Sequence, residues 1–454
     1  MAHFSRFALL LPVALVTGCP SSRGPDREAP EFAGLSGAIA TAPGTVQLGW
    51  EPASDRSKVT YRVWTASAPG AEPFAQSPIV ETEELSITIT GIFVSAVPAY
   101  FVVRARDERG NEEYNTVERA VSFGENRLEL LGSYAEPVAS DIAVSTSSDI
   151  VAMGGFTIDP GVRAWLYDVS NPASPQKVAT IYGEGRSTDV EIRGNVLWVS
   201  TEDDPDEHGA YSYDITDPAA PVPLGFLAGA GVSQCHTIWL DGNILYCAST
   251  DGTDGFIHLV DVTDPSAPVN QGAVGVPGGQ VHDMYVKDGI AVGSFLWEGF
   301  AFFDVTDPMN PTLGTVVNYP NAFTHNAWPT QDGTHLLTTD ENTGGHLRIW
   351  DISDRGAIVQ VGEYIADPGP GPHAIVHNVQ VQGDYAYVAW YEAGVIILDI
   401  STPSSPLLIG WHDTWEDPTE GFFAGAWSAF PKGDKVYVSD YSSGLYVMEL
   451  GDGR

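Results

Sequence analysis

Six times between Asp168 and Asp399 the chain repeats one phrase: an apolar run, an aspartate, then a proline-rich turn. The copies are LYDVSNPASP (166–175), SYDITDPAAP (212–221), LVDVTDPSAP (259–268), FFDVTDPMNP (302–311), IWDISDRGAI (349–358) and ILDISTPSSP (397–406). Their aspartates, Asp168, Asp214, Asp261, Asp304, Asp351 and Asp399, follow one another at spacings of 46, 47, 43, 47 and 48 residues. A period of about 40 to 50 residues that holds several short strands is the period of a β-propeller. Proline cannot donate to a strand ladder, so each DPxxP lies outside the sheet and bends the chain into an outer strand.

One whole copy shows the unit. HDMYV (282–286) is an inner strand, KDG a tight turn, IAVGSF (290–295) a second strand and LWEG a loop. FAFFDV (300–305) ends at the key aspartate, and TLGTVV (312–317) follows the proline turn as a fourth strand. Tight turns recur as RGN (193–195), DGN (241–243), QDG (331–333), QGD (382–384) and KGD (432–434). Six units carry the aspartate. A seventh runs through VYVSDYSSGLYVMEL (436–450), with Glu449 in its place and no outer strand of its own. RLELLGSYAEP (127–137) reads as a spare outer strand that closes the ring and removes the exposed edges. The expected fold class is all-β, with a seven-bladed β-propeller over 127–450. The phrase set resembles the LVIVD-repeat family of bacterial surface propellers. Copies five and six depart from DPxxP, at Asp354-Arg355-Gly356 and Thr402-Pro403.

Residues 31–123 read differently. TVQLGWEP (45–52), VTYRVWTA (59–66), LSITITGI (85–92) and AYFVVRARDERGNEEYNT (99–116) alternate apolar and polar residues between turn signals. With Trp50, Tyr61, Ile92 and Tyr100 at its marks, this stretch resembles a fibronectin type III domain. The resemblance implies a sandwich that spaces or adheres, with Trp50 in the core.

The first residues read as an address. Arg6 precedes an apolar stretch, Phe7 to Val16, that is short for a bilayer span. V-T-G-C at Val16–Cys19 follows and resembles the bacterial lipobox, which implies lipidation of Cys19 after removal of a signal peptide at 1–18. Pro20 in the next position is not the aspartate of inner-membrane retention. Residues 19–30 then form a tether, and the expected location is the bacterial cell envelope, at the outer membrane or cell surface. A net charge of −38 excludes nucleic-acid binding, because phosphates would be repelled. Cys235 and Cys247 flank the Asp241-Gly242-Asn243 turn at similar distances. A cross-strand disulfide and a pair of buried thiols both fit that spacing.

At the start of the inner strand four consecutive units carry histidine: His236, His282, His325 and His377. Units one and two have Ser140 and Thr188 there, and unit seven has Trp427. The next slot holds Asp141, Asp189, Thr237, Asp283, Asn326, Asn378 and Ser428. Strand order puts this slot and the loops between second and third strands at one end of the channel. Four imidazoles there fit a divalent transition metal, and equally a structural rim. Strand alternation would send each histidine and its successor to opposite sides. The loops TEDDPDEHG (201–209), TDGTDG (250–255), TDENTGG (339–345) and YEAG (391–394) offer oxygen ligands, as in Asp204-x-Asp206 and Asp251-x-x-Asp254, that suit Ca²⁺ only loosely. The insertion 412–427 brings Trp415, Phe422 and Phe423 to the same end, where a partner or glycan contact and packing onto the blade that follows both fit.

No nucleophile elbow, phosphate loop, CxxC or HExxH is present in the sequence. The expectation is a lipid-anchored binding or adhesion protein, without catalysis, whose protein or glycan partner meets the histidine-bearing face. Asp141, Asp189, Asp283, Asn326, Asn378, Trp415 and Trp427 are its expected contacts. The alternative is a metal-dependent oxidase or hydrolase with its ion in the histidine ring.

Overall fold

The computed structural model describes residues 28–42, 45–66, 70–90, 99–121, 126–157, 161–204, 206, 209–232, 234–249, 255–366, 375–415 and 423–451. The described chain is all-β. Its one helical element is a 3₁₀ turn, Leu227–Ala230, and no helix is long and apolar enough to cross a membrane. Cys19 and the residues around it lie outside the described residues, as do Ile92, Asp251, Asp254 and Phe422.

Seven four-stranded antiparallel sheets follow one another from Ala139 to Leu450. We number them in chain order by their first strands: Ala139–Val144, Val190–Arg193, Thr237–Asp241, Asp283–Lys287, Thr324–Pro329, Val379–Gln382 and Ala426–Lys432. Each first strand packs against that of the next sheet, and Ala426–Lys432 packs against Ala139–Val144, so the contacts form a closed cycle. The second and third strands read as near-continuous apolar runs. Tyr385–Trp390 is buried from Ala386 onward, and Gly394–Asp399 from Gly394 to Leu398. Such runs suit strands covered on both faces by neighbouring sheets. Most fourth strands, such as Val269–Val274, are more exposed, whereas Leu407–His412 of sheet six is covered.

The last sheet is completed from the other end of the repeat. Leu128–Ala135 pairs antiparallel with Gly444–Leu450, from Gly444 opposite Ala135 to Leu450 opposite Leu128. The Arg127 Nε also donates to the Gly451 carbonyl at 2.8 Å.

The repeated aspartates act at the corners. Each accepts the backbone N–H two residues on: Ser170 to Asp168 at 2.8 Å, Thr216 to Asp214 at 2.8 Å, Thr263 to Asp261 at 2.9 Å and Ser401 to Asp399 at 2.9 Å. This is an Asx-turn, which starts the reversal that the prolines then hold. A glycine in the fourth strand lets the next corner approach. A Cβ on Gly225 would sit 2.6 Å from the Pro265 carbonyl oxygen, and one on Gly272 2.6 Å from that of Pro308. Gly132 and Gly362 meet Pro172 and Pro403 in the same way.

Residues 37–121 form two further sheets. One contains Gly37–Ala42, Thr45–Gly49 and Ser86–Thr90; the other contains Val80–Thr82, Val59–Ala66, Ala99–Asp107 and Glu118–Val121. Trp50 and Tyr61 are buried, with ring centroids 5.4 Å apart.

Candidate functional site

The histidine slot is the extra residue of a recurring β-bulge. In sheet three the His236 N–H bonds the Ala248 carbonyl, while Thr237 is the residue paired with Ala248. In sheet four His282 and Asp283 share Ser294 in the same way. In sheet six His377 and Asn378 both oppose Ala389. In sheets five and seven the register shifts across His325 and across Trp427. A bulge breaks the two-residue alternation and re-aims one side chain. That corrects the expectation from strict alternation, because each histidine and its successor both turn inward.

The four imidazoles come from four sheets, yet they touch. Centroid separations are 4.1 Å for His236–His282, 4.3 Å for His282–His325 and 4.1 Å for His325–His377. Trp427 continues the arc 4.6 Å from His377, and Phe156 lies 5.2 Å beyond Trp427. The Arg186 guanidinium sits 4.8 Å from the Phe156 ring centre and pairs with Glu202 at 3.0 Å. Glu202 reaches His236 Nδ1 at 2.8 Å and closes the circuit.

Two outer imidazoles are pinned through Nδ1. His377 Nδ1 donates to the Trp427 carbonyl at 2.5 Å, and His236 Nδ1 is held by Glu202. The two inner ones are not: the Nδ1 atoms of His282 and His325 are buried with no hydrogen-bond partner. His325 Nε2 stands 3.6 Å from Glu341 Oε2, and the Tyr391 hydroxyl donates to Glu341 Oε1 at 2.7 Å. One donor atom each from His282, His325 and Glu341 lie within 4.8 Å of one another.

Burial pushes His282 and His325 well below the ordinary histidine value, helped by the other imidazoles, and brings His377 down to about 3. Burial works against charge on His236 too, but the Glu202 carboxylate outweighs it and raises that imidazole. Burial lifts Glu341 to about 7. The inner imidazoles are therefore neutral, with lone pairs free, near neutral pH.

Beneath the imidazoles the next slot lines a channel cavity of about 270 Å³, together with Glu191, Trp239, Trp328 and Phe430. Asp141, Asp189, Asp283, Asn326 and Asn378 all face it. Asn378 Nδ2 donates to Asp141 at 2.8 Å, Asn326 Nδ2 to Asp283 at 2.6 Å and the Ile238 N–H to Asp189 at 2.7 Å. Thr237 Oγ1 donates to the His282 carbonyl at 2.9 Å. These side chains stitch one sheet to another through hydrogen bonds. Burial raises Asp141 to about 7 and Glu191 to about 8, with neighbouring carboxylates adding to both.

The expected contact at Trp427 and the loose Ca²⁺ reading at Asp204 are corrected. Trp427 is 5% exposed and belongs to an aromatic cluster with Phe156, Tyr391, Phe423 and Tyr441, so it walls the mouth. Trp415 is half-buried, with its indole nitrogen covered. Asp204 turns inward, pairs with Arg163 at 3.3 Å and accepts the Tyr211 hydroxyl at 2.8 Å, leaving little for Ca²⁺. Cys235 and Cys247 form a disulfide, one residue before His236. Glu202, Glu341, Tyr391, Phe156 and Arg186 were missed by sequence reasoning. Glu202, Glu341 and Tyr391 do lie in the loops singled out there, but nothing in those loops marks which side chains reach the imidazoles.

Two stretches, 234–275 and 375–414, match the LVIVD repeat model, and they carry His236 and His377. The chain thus contains LVIVD repeats within an all-β repeat fold. No curated protein matches it. Among solved structures, the crystal structure of the computationally designed Ika8 protein (crystal packing No.1 in P63) is similar. The likeness covers 71% of this chain and 100% of that one at 12% identity, with a TM-score of 0.47, and carries no functional argument.

Proposed function

We propose that this chain is a binding protein of the bacterial cell envelope, built as an anchor, a spacer and a ligand-holding ring. Residues 127–450 are a seven-bladed LVIVD-type propeller, and 31–123 are a fibronectin type III-like spacer. Cys19 carries the lipid. The anchor reading rests on the lipobox-like V-T-G-C after Phe7–Val16, and the ring reading on the closed cycle of first strands.

The observation that carries a binding function is the circuit of side chains at one mouth. Beside it stands Trp297, 60% exposed, set edge-on to Phe323 at 5.0 Å. Leu296 bonds Thr324 in both directions, which ties this loop to the residue before His325. An exposed tryptophan on a tied loop is the kind of anchor that dominates protein interfaces. The net charge of −38 favours a basic protein partner, drawn in by long-range attraction.

The test is photo-crosslinking in intact cells, from a reactive residue at position 297 or at Met309 on the opposite end. Salt-sensitive crosslinks to one basic protein from 297 alone support the reading. Equal capture from both positions, or attachment to glycan only, overturns the partner assignment. Palmitate labelling that persists in Cys19→Ala overturns the anchor.

A further inference from the structure

We propose that His282, His325 and Glu341 bind a divalent transition-metal ion at the mouth of the ring, with His236 and His377 as flanking donors. This deepens the binding reading above, since it assigns a ligand class to the same mouth.

Three observations carry it. The first is convergence: donors from sheet four, sheet five and the loop after the second strand of sheet five lie within 4.8 Å of one another. Ligands of one tetrahedral ion, each about 2.0–2.1 Å from it, stand about 3.3 Å apart. His325 Nε2 and Glu341 Oε2, at 3.6 Å, are too far apart for a good hydrogen bond and near that ligand spacing.

The second is satisfaction. Buried polar nitrogens without partners are rare and call for an explanation. Here two stand side by side, on His282 and His325, among hydrogen-bonded neighbours. At His325 the ion would take the Nε2 lone pair, which faces Glu341, and leave the proton on Nδ1.

The third is support around the donors. A ligating histidine characteristically donates its other ring nitrogen to a carboxylate or backbone carbonyl, which fixes the ring and its tautomer. His236 and His377 are held in that way, by Glu202 and by the Trp427 carbonyl. Glu341 is oriented by Tyr391.

The donor set decides the ion. Imidazole nitrogens with one carboxylate and no thiolate suit Zn²⁺ and Cu²⁺, whereas Ca²⁺ and Mg²⁺ demand six or more oxygens or several waters.

The experiment uses the full chain without a polyhistidine tag, titrated with Zn²⁺ alone and with Cu²⁺ alone. One equivalent is expected to bind, and the Cu²⁺ form should show nitrogen hyperfine splitting in its electron paramagnetic resonance spectrum. His282→Ala with His325→Ala should weaken binding at least ~100-fold, Glu341→Gln about tenfold. His335→Gln, at the far end of sheet five, should change nothing. Circular dichroism on each variant separates lost binding from lost fold. If the double variant fails to fold, the decision falls to Glu341→Gln and the hyperfine spectrum. Binding that survives His282→Ala/His325→Ala, or no stoichiometric ion in the parent chain, overturns the proposal. A metal-free chain that still crosslinks its partner from position 297 would refute the metal site alone. A loaded chain without a partner would refute the protein-binding reading alone.

Discussion

His377 and Trp427, on neighbouring sheets, are joined by a hydrogen bond from the imidazole Nδ1 to the tryptophan carbonyl at 2.5 Å. A carbonyl oxygen can only accept, so the proton must sit on Nδ1 and the lone pair on Nε2. The fold thereby chooses the tautomer of a buried histidine before any ligand arrives. In the metal-free protein, long-range ¹⁵N–¹H correlation spectra should show His377 as the Nδ1–H form, neutral down to about pH 3. An Nε2–H pattern, or titration close to pH 6.5, would contradict this geometry.

The channel carboxylates predict an unusual pH dependence. Burial raises Asp141 from 3.8 to about 7 and Glu191 from 4.5 to about 8. In the unfolded chain both ionise near their ordinary values, while in the folded chain they hold their protons longer. Between those limits the folded state binds more protons, so these two groups lower stability as pH rises toward 8. Glu191→Gln with Asp141→Asn should flatten the fall in melting temperature between pH 6 and 8, read by calorimetry on the metal-free protein. An unchanged slope would show that the two groups ionise freely in the folded chain.

Thr237 is a stitch between sheets three and four, through its hydrogen bond to the His282 carbonyl. Thr237→Val keeps the shape but leaves that carbonyl without this partner. The expected loss is about 1–3 kcal/mol, seen as a lower denaturant midpoint at unchanged slope. No shift would mean that water replaces the hydroxyl without cost.

Gly272 faces the Pro308 corner of the next sheet, with room for a hydrogen and none for a methyl group. Gly272→Ala should cost about 1–3 kcal/mol by forcing the corner outward. Gly242→Ala serves as a contrast, because open space surrounds that position and only its φ of 57° opposes a side chain. Thermal melts of the two variants decide between crowding and backbone strain.

The disulfide closes a loop of 12 residues in sequence separation. Cys235→Ala with Cys247→Ala should lower stability by about 2–3 kcal/mol through the greater freedom of the unfolded chain. Reducing agent should lower the parent's melting temperature and leave the double variant's unchanged. Equal responses would indicate that the two sulfurs are not bonded in solution.

The sequence by itself determined the all-β class and the repeat, because both are written in local rules. Alternating apolar residues, Asx-turn aspartates such as Asp261 and the prolines behind them act within a few residues of one another. The LVIVD matches fall on that same local phrase. The histidine column at 236, 282, 325 and 377 was legible for the same reason, since a repeat aligns its own slots. What lies around that column was not. A bulge changes which way His325 points through one extra residue in a ladder, and no residue type announces it. Glu341 looked like any other acid in an acidic loop until the fold turned it toward His325. Asp141 and Asn378 looked like surface ligands, and their hydrogen bond joins sheets one and six, more than two hundred residues apart in the chain. Only tertiary structure decides such pairings, because the interaction depends on distance in space and burial, and neither is encoded at the residue that carries it.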